Sequence, residues 1–141
     1  MSPDTRPTPV PDRFTAAFWT ATEGHALHVQ FCGRCMLYQH PPGPLCRKCH
    51  REEHLTFESV SGQGTVYSFT VTFNSVVPGF EREAELIVGL IELDEQAGVR
   101  LVANLRGVEI DQISVGTPVE VVFEDRENGG TLPQFQPVRL S

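Results

Sequence analysis

The sequence predicts a mainly β protein with a short N-terminal helix, a small metal-binding ribbon and a closed barrel. Three observations support this prediction. The length of 141 residues, with 40% hydrophobic residues, suits one domain with a small appendage. All four cysteines fall in two C-x-x-C pairs, and the C-terminal half consists of short apolar segments separated by glycine-rich turns. We therefore expect a lead-in and helix over residues 1–24, a ribbon over 25–54 and a barrel over 55–141.

The N-terminal segment has two parts. Residues 1–11 are rich in proline, and we expect a disordered or extended lead-in there. The next residues carry an apolar stripe at the helical spacing i, i+3, i+4 and i+7, formed by Phe14, Ala17, Phe18 and Ala21. Asp12 suits the N-cap of this helix, and Gly24 suits its C-terminal end. Trp19 lies off the stripe, and we expect it to cover an edge of the core.

The four cysteines have the spacing of a tetrathiolate metal site. They form two pairs separated by ten residues, namely Cys32, Cys35, Cys46 and Cys49. A two-residue spacer lets both thiolates of one pair reach a single ion, and two pairs complete a tetrahedron with no open position. The favoured interpretation is one structural zinc ion. An iron site of the same geometry, redox chemistry and disulfides remain open from spacing alone.

The second half of the chain predicts five strands. Alternation or a continuous apolar run marks each segment: Phe57–Val60, Tyr67–Phe73, Leu86–Leu93, Val99–Leu105 and Val119–Phe123. Turn residues separate the strands, for example at Val77–Gly79 and Asn128–Gly130. Five short strands with no second long helix suit the oligonucleotide/oligosaccharide-binding (OB) barrel. A β-sandwich is the alternative.

The composition argues against several classes of function. With 11 basic and 18 acidic residues the net charge is −7, which disfavours binding to a phosphate backbone. The N-terminus lacks the features of a secretory signal, and no apolar run is long enough to span a membrane, so we expect a cytoplasmic protein. The sequence lacks the common nucleophile, metalloprotease and nucleotide-binding motifs. These absences favour a domain with no catalytic activity of its own.

The ordered combination of motifs resembles the DUF35 family. The resemblance covers about residues 12–138 and rests on five segments in particular: Phe31–Cys35, His40–Pro42, Cys46–Cys49, Ser61–Val71 and Gly89–Asp94. It implies a rubredoxin-like zinc ribbon followed by an OB-fold. It further implies an accessory subunit that binds acyl-CoA and forms a hetero-oligomer with a thiolase-superfamily enzyme. That partner would be a thiolase or a lipid-transfer-type aldolase of steroid side-chain or other lipid metabolism, and it would perform the chemistry.

The sequence departs from the family pattern beside the cysteine pairs. Gly43 stands where a basic residue often follows the two prolines, and Arg47 stands where proline is frequent. The densest basic cluster consists of Arg34, Arg47 and Lys48, and we expect some of these side chains to meet the CoA phosphates. Two alternatives remain open: a nucleic-acid-binding protein, because ribbons and OB-folds also serve that role, and an independent enzyme.

Overall fold

The computed structural model describes residues 5–73 and 85–138. Over these residues the chain forms one α-helix, one 3₁₀ turn (Ile110–Gln112) and eight strands in two sheets. The elements are α1 Ala16–Glu23, β1 His28–Cys32, β2 Leu37–Gln39, β3 Leu55–Ser59, β4 Gln63–Phe73, β5 Glu85–Leu93, β6 Arg100–Asn104, β7 Pro118–Asp125 and β8 Thr131–Pro137. The turn predicted at Val77–Gly79 lies outside the described residues. In the described part of the chain, no helix has the length and apolarity needed to cross a membrane.

The predicted helix is present, but it begins later than expected. Thr15, not Asp12, is the N-cap residue. The Asp12 carboxylate accepts hydrogen bonds from the backbone N–H groups of Phe14 and Thr15 at 2.8 and 2.9 Å, so it stabilises the turn before the helix. These bonds hold the pKa of Asp12 below its usual value. At the other end Gly24 is the C-cap, as predicted, and donates to the carbonyl of Ala21.

The buried face of α1 is narrower than the predicted stripe. Phe18 and Thr22 are its buried residues, whereas Ala17 is exposed. The later start of the helix leaves Phe14 in the preceding turn, which explains the difference. Trp19 is half-buried against the core and meets Phe18 edge to face, with ring centroids 4.8 Å apart. It therefore covers a core edge, as predicted.

The ribbon is a three-stranded antiparallel sheet in the order β2-β1-β3. The third strand corrects the prediction that Phe57–Val60 belongs to the barrel. β3 pairs along the whole of β1, from His28 opposite Ser59 to Cys32 opposite Leu55. The chain leaving the second cysteine pair returns beside the first, where Gly33 donates to the carbonyl of His54 at 2.9 Å. This return places β3 in the ribbon sheet.

The second sheet curves into a near-closed barrel in the order β6-β5-β4-β7-β8. Its central strand β4 pairs with β5 along most of its length and with β7 only at its N-terminal end. A bulge near Tyr67 lets β4 change direction between these partners. A parallel bridge between Leu105 and Phe135 joins the ends of the sheet. The predicted OB barrel is thereby confirmed.

One barrel strand was not predicted from the sequence. β8 carries Pro133 and Pro137, and proline normally argues against a strand. Here β8 pairs along its length with β7 alone, with Pro133 opposite Phe123 and Pro137 opposite Val119. A proline is compatible with such a strand when its missing N–H would have faced away from the partner.

The barrel interior is filled by aliphatic side chains and one phenylalanine. Five of its most deeply buried members are Val66, Ile91, Leu93, Val119 and Phe135. At Gly64 the strands β4 and β5 approach so closely that a Cβ would lie 2.4 Å from the carbonyl oxygen of Glu92. Only glycine allows this approach, and it fixes how the barrel closes over its core.

Candidate metal centre and adjoining groove

The four cysteines converge on one point at the tip of the ribbon. Their Sγ atoms all lie within 4.8 Å of one another, with Cys32 to Cys49 at 3.8 Å and Cys35 to Cys46 at 3.9 Å. A tetrahedral ion with metal–sulfur bonds of about 2.3 Å requires sulfur–sulfur separations of about 3.8 Å. The Cys32–Cys49 and Cys35–Cys46 separations match this requirement. The cysteines are therefore positioned to bind one metal ion with no open coordination position.

The backbone around each pair is shaped to present its sulfur atoms. The residue after each pair, Met36 or His50, has a positive φ of 56° or 58° and donates to the carbonyl of the pair's first cysteine. This left-handed conformation reverses the chain after each pair. Cys46 Sγ accepts from the N–H groups of Lys48 and Cys49 at 3.4 and 3.5 Å. These bonds lower the pKa of Cys46 to about 6, which favours the thiolate that a metal ion needs.

Cys35, the second cysteine of the first pair, has a pKa shift in the opposite direction when only thiol groups surround it. Burial, together with hydrogen bonds among the four sulfur atoms, raises the pKa of Cys35 to about 12. A divalent cation at the centre would reverse this effect, because a coordinating thiol is deprotonated. The donor set thus consists of four sulfur ligands whose negative charge a divalent metal ion would offset in part.

A buried pair of amides supports the loop between the two cysteine pairs. Gln39 donates to the side-chain oxygen of Gln30 at 2.7 Å and to the carbonyl of Leu45 at 3.1 Å, and it accepts from the backbone of Arg47. Gln30 in turn donates to and accepts from the backbone of Gly43. Both side chains are fully engaged, so this network fixes the second pair relative to the first. The sequence analysis did not identify these glutamines.

An apolar groove of about 890 Å³ lies beside the ribbon, along the side of the barrel where β6 and β8 diverge. Its walls come from α1, from the loop at His40–Pro42, from the N-terminal segment at Pro7–Pro9 and from strands β5, β6 and β8. Trp19 and Val102 are among its lining residues, and Val102 is 72% exposed. A volume of this size is typical of a small-molecule site.

His40 gives the groove one buried polar atom without a partner. Its Nδ1 makes no hydrogen bond to any residue that the structure describes, whereas the buried Nε atoms of Arg100 and Arg126 lie 3.9 and 3.3 Å from the carboxylates of Glu92 and Glu124. Burial, assisted by the charge of Arg47, lowers the pKa of His40 to about 4. The imidazole is therefore neutral at neutral pH and can donate to or accept from a ligand.

The three predicted basic residues have different surroundings. The Arg47 guanidinium donates to the carbonyls of His40 and Pro41 and so holds the loop at the groove wall. Arg34 and Lys48 are exposed and do not line the groove. Arg100, which sequence reasoning missed, does line it and stacks over the ring of Tyr67 at 3.7 Å. In the sequence, Arg100 is one polar residue of an alternating strand, and nothing there indicates that it lines a groove.

The N-terminal segment is tied to the barrel through Glu124, so residues 5–11 do not form the disordered lead-in that was one of the two expectations. Glu124 Oε2 lies 3.1, 2.9 and 3.3 Å from the guanidinium groups of Arg6, Arg106 and Arg126, and Gln134 donates to Oε1. Burial opposes ionisation, but Gln134 and the three cations outweigh it and lower the pKa of Glu124. This contact fixes the groove wall formed by Pro7–Pro9.

Comparison with known proteins places the fold in a family. A family model described as the C-terminal OB-fold domain of ChsH2 matches residues 58–124. The chain is 38% identical over 132 residues to a probable enoyl-CoA hydratase alpha subunit of Thermomonospora curvata. It is 34% identical over 125 residues to the 3-oxo-4,17-pregnadiene-20-carboxyl-CoA hydratase alpha subunit of Mycobacterium tuberculosis. The matches cover 94% and 89% of this chain but only 40% and 38% of those relatives.

Two further matches span most of both proteins. A DUF35 domain-containing scaffold protein of Methanocaldococcus jannaschii is 31% identical over 103 residues, which is 70% of each chain. A solved structure of an Ltp2-ChsH2(DUF35) aldolase contains a chain with 35% identity and a TM-score of 0.82, matched over 92% of this chain and 98% of that one. Because a DUF35 relative at 31% identity is matched over 70% of both chains, this chain belongs to the DUF35 family.

Proposed function

We propose that this chain is a non-catalytic accessory subunit that pairs with a thiolase-superfamily enzyme acting on acyl-CoA. The observation that carries the proposal is the likeness to the DUF35 chain of the Ltp2-ChsH2 aldolase, at 35% identity and a TM-score of 0.82. Two relatives are named as alpha subunits of hydratases, and both names contain a CoA thioester as the substrate. The partner would thus be a thiolase-like or lipid-transfer-type aldolase protein, which would make or break the carbon–carbon bond.

The proposed ligand is an acyl-CoA that lies in the groove. Apolar walls suit an acyl chain, and the neutral His40 can contact a ligand oxygen. Arg100, which lines the groove beside Glu92, is a better candidate for a CoA phosphate than Arg47, which does not line the groove and donates to two loop carbonyls. Arg34 and Lys48 remain candidates only for phosphates that extend beyond the groove. A steroid or other lipid acyl group would fit the apolar lining.

The proposed role of the metal is structural. The cysteine tetrahedron fits Zn²⁺, and four sulfur ligands leave no position for a substrate. When bound, the ion would join the two cysteine pairs and so hold the ribbon against α1 and the groove. The cysteines and the glutamine network supply positioning alone, and no reacting group is assigned to them.

Co-expression with a thiolase-like protein from the same genome tests the proposal. We expect a stable hetero-oligomer by size-exclusion chromatography with light scattering, and octanoyl-CoA binding by calorimetry. The proposal is overturned if the chain forms no complex with the thiolase-like protein and gives no calorimetric signal with octanoyl-CoA. Tight, salt-sensitive binding to an oligonucleotide would instead favour the nucleic-acid alternative, and turnover of octanoyl-CoA by the chain alone would establish an independent enzyme.

A further inference from the structure

Strand β6 presents an open backbone edge to the groove. In the β5–β6 ladder, the backbone N–H of Leu105 donates to the carbonyl of Ile87 on the neighbouring strand. The backbone N–H of Asn104 points the opposite way and donates to the side-chain oxygen of Gln134 at 2.7 Å. Successive residues of an antiparallel strand point their N–H and C=O groups to opposite sides. The backbone groups of Val102 and Arg100, two and four residues before Asn104, therefore also face away from β5.

The open part of this edge is short. Gln134 caps Asn104, and the bridge from Leu105 to Phe135 closes the barrel just beyond it. Within residues 5–73 and 85–138, no hydrogen bond engages the outward backbone groups of Val102 or Arg100. Two residues with an N–H and a C=O each thus remain available, and both line the groove.

We propose that this edge binds the pantetheine arm of acyl-CoA, with the outward backbone groups of Val102 and Arg100 pairing with its two amides. The inference rests on the proposed acyl-CoA function and assigns the part of the ligand that the edge recognises. Pantetheine is an extended chain with two amides between an acyl thioester and a phosphate. The groove offers groups that match both ends of this chain, with apolar walls for the acyl group and the Arg100 cation for the phosphate.

The edge suits a small ligand better than an added protein strand. A paired strand is commonly five or six residues long, whereas only two residues of β6 are open. The groove is also enclosed on several sides, by Trp19, by Pro41 and by the segment at Pro7–Pro9. A volume of about 890 Å³ is in the range of ligand sites. These limits favour one flexible arm with two amides.

Amide hydrogen exchange of the ¹⁵N-labelled chain tests the inference directly. Saturating octanoyl-CoA should slow exchange at the Val102 amide at least tenfold, with the already paired Leu101 amide as the internal reference. Octanoate, which has the acyl chain but no amides, should leave Val102 unchanged. Protection at Val102 by octanoyl-CoA but not by octanoate is the expected result.

A substitution provides the second measurement. Val102→Pro removes an N–H that takes no part in the β5–β6 ladder, so the sheet should tolerate it. We expect octanoyl-CoA affinity to fall roughly three- to tenfold, as for the loss of one hydrogen bond. Val102→Ala is the matched control, because it also removes the branched valine side chain but keeps the N–H, and it should bind octanoyl-CoA more tightly than Val102→Pro.

The possible outcomes separate this inference from the proposed function. Octanoyl-CoA binding without protection of Val102 overturns the inference alone. No binding overturns both the inference and the acyl-CoA part of the proposed function. If Val102→Pro breaks the complex with the thiolase-like partner while octanoyl-CoA binding is unchanged, the edge pairs with the partner chain, and the assignment to pantetheine is wrong. Should Val102→Pro fail to fold, hydrogen exchange of the unmodified chain still decides.

Discussion

The ribbon and the barrel are stabilised in different ways. In the ribbon sheet and its cysteine loops, the buried residues are Val29, two cysteines and the paired amides Gln30 and Gln39. The barrel supplies most of a continuous cluster of buried apolar residues around Phe135, and the ribbon contributes Val29 to its edge. A small sheet with so few buried apolar side chains needs another source of stability, and a metal ion is a common one.

This difference assigns separate roles to the two parts. The barrel can form through burial of apolar area alone, so it can act as a scaffold whose shape does not depend on metal. The ribbon holds the loop at His40–Pro42, which is one wall of the groove. Loss of the metal should therefore damage the groove through the ribbon while leaving the barrel folded.

Removing one metal ligand should give the largest effect. Cys46→Ala should abolish stoichiometric zinc binding and unfold the ribbon, because metal binding in small sites contributes about 10–16 kcal/mol of apparent folding free energy. Elemental analysis should find one zinc ion per unmodified chain and none in the variant. Two-dimensional NMR should lose the dispersed ribbon signals but retain those of β4–β8. Iron in place of zinc, or a ribbon that stays folded without metal, would contradict the assignment.

Truncating a core side chain of the barrel should destabilise the barrel while the metal site keeps its zinc. Phe135 is fully buried, and Phe135→Ala should lower the free energy of unfolding by about 3–5 kcal/mol. Chemical denaturation measures this loss, and zinc content should stay at one ion per chain until the barrel unfolds. Val102→Ala, at an exposed position, should change stability by less than about 0.5 kcal/mol. Loss of zinc at low denaturant in Phe135→Ala would show that the two parts are not separable.

Breaking the glutamine network should have an intermediate effect confined to the ribbon. Gln39→Leu removes the partner of Gln30 and of two backbone groups near the second cysteine pair. Each buried group left unsatisfied costs about 1–3 kcal/mol. Competition with a colorimetric chelator should show weaker zinc retention than in the control Gln63→Leu, whose side chain is exposed. Equal retention in the two variants would mean that the network does not support the metal site.

Spacing and alternation predicted those parts of the fold that depend on local sequence. The two C-x-x-C pairs, the alternation at Tyr67–Phe73 and the stop at Gly24 each express a local requirement of the backbone. The sequence could not show where Phe57–Val60 pairs, because an amphipathic strand suits either sheet and only the return of the chain to β1 decides. β8 was missed because Pro133 is acceptable only on a strand with one principal partner.

The same distinction applies to the candidate site. The metal ligands lie close in sequence and could be predicted, whereas the groove is assembled from segments as distant as Pro7, Trp19, Val102 and Pro133. A charge cluster in the sequence drew attention to Arg47, whose guanidinium is engaged by loop carbonyls. Nothing in the sequence marks Gln30 and Gln39 as buried, because their partners are backbone groups of a loop whose path depends on the fold.

The smallest expected effect concerns the contact between the N-terminal segment and the barrel. Glu124→Gln should loosen Arg6 and the groove wall at Pro7–Pro9 at a cost of about 1–3 kcal/mol, because the buried Arg126 loses its carboxylate partner, while zinc content and the barrel core stay unchanged. Fluorescence of Trp19, the single tryptophan of the chain, reports on the same groove. Glu120→Gln on the same strand is the control, because its described partner is Gln136 and not a cation.

The pH dependence of this contact has a definite sign. The pKa of Glu124 is lower in the folded protein than in the unfolded chain, so its stabilising contribution is fully present above the unfolded pKa of about 4.5. It is lost as the pH falls through the folded value, because the protonated carboxyl no longer attracts the three guanidinium groups. Any other effect of acid on the protein is common to wild type and Glu124→Gln. The fluorescence difference between the two proteins should therefore be constant near neutral pH and shrink below about pH 4.5. A difference that persists in acid would show that Glu124 positions the segment by shape and hydrogen bonding, and that its charge contributes little.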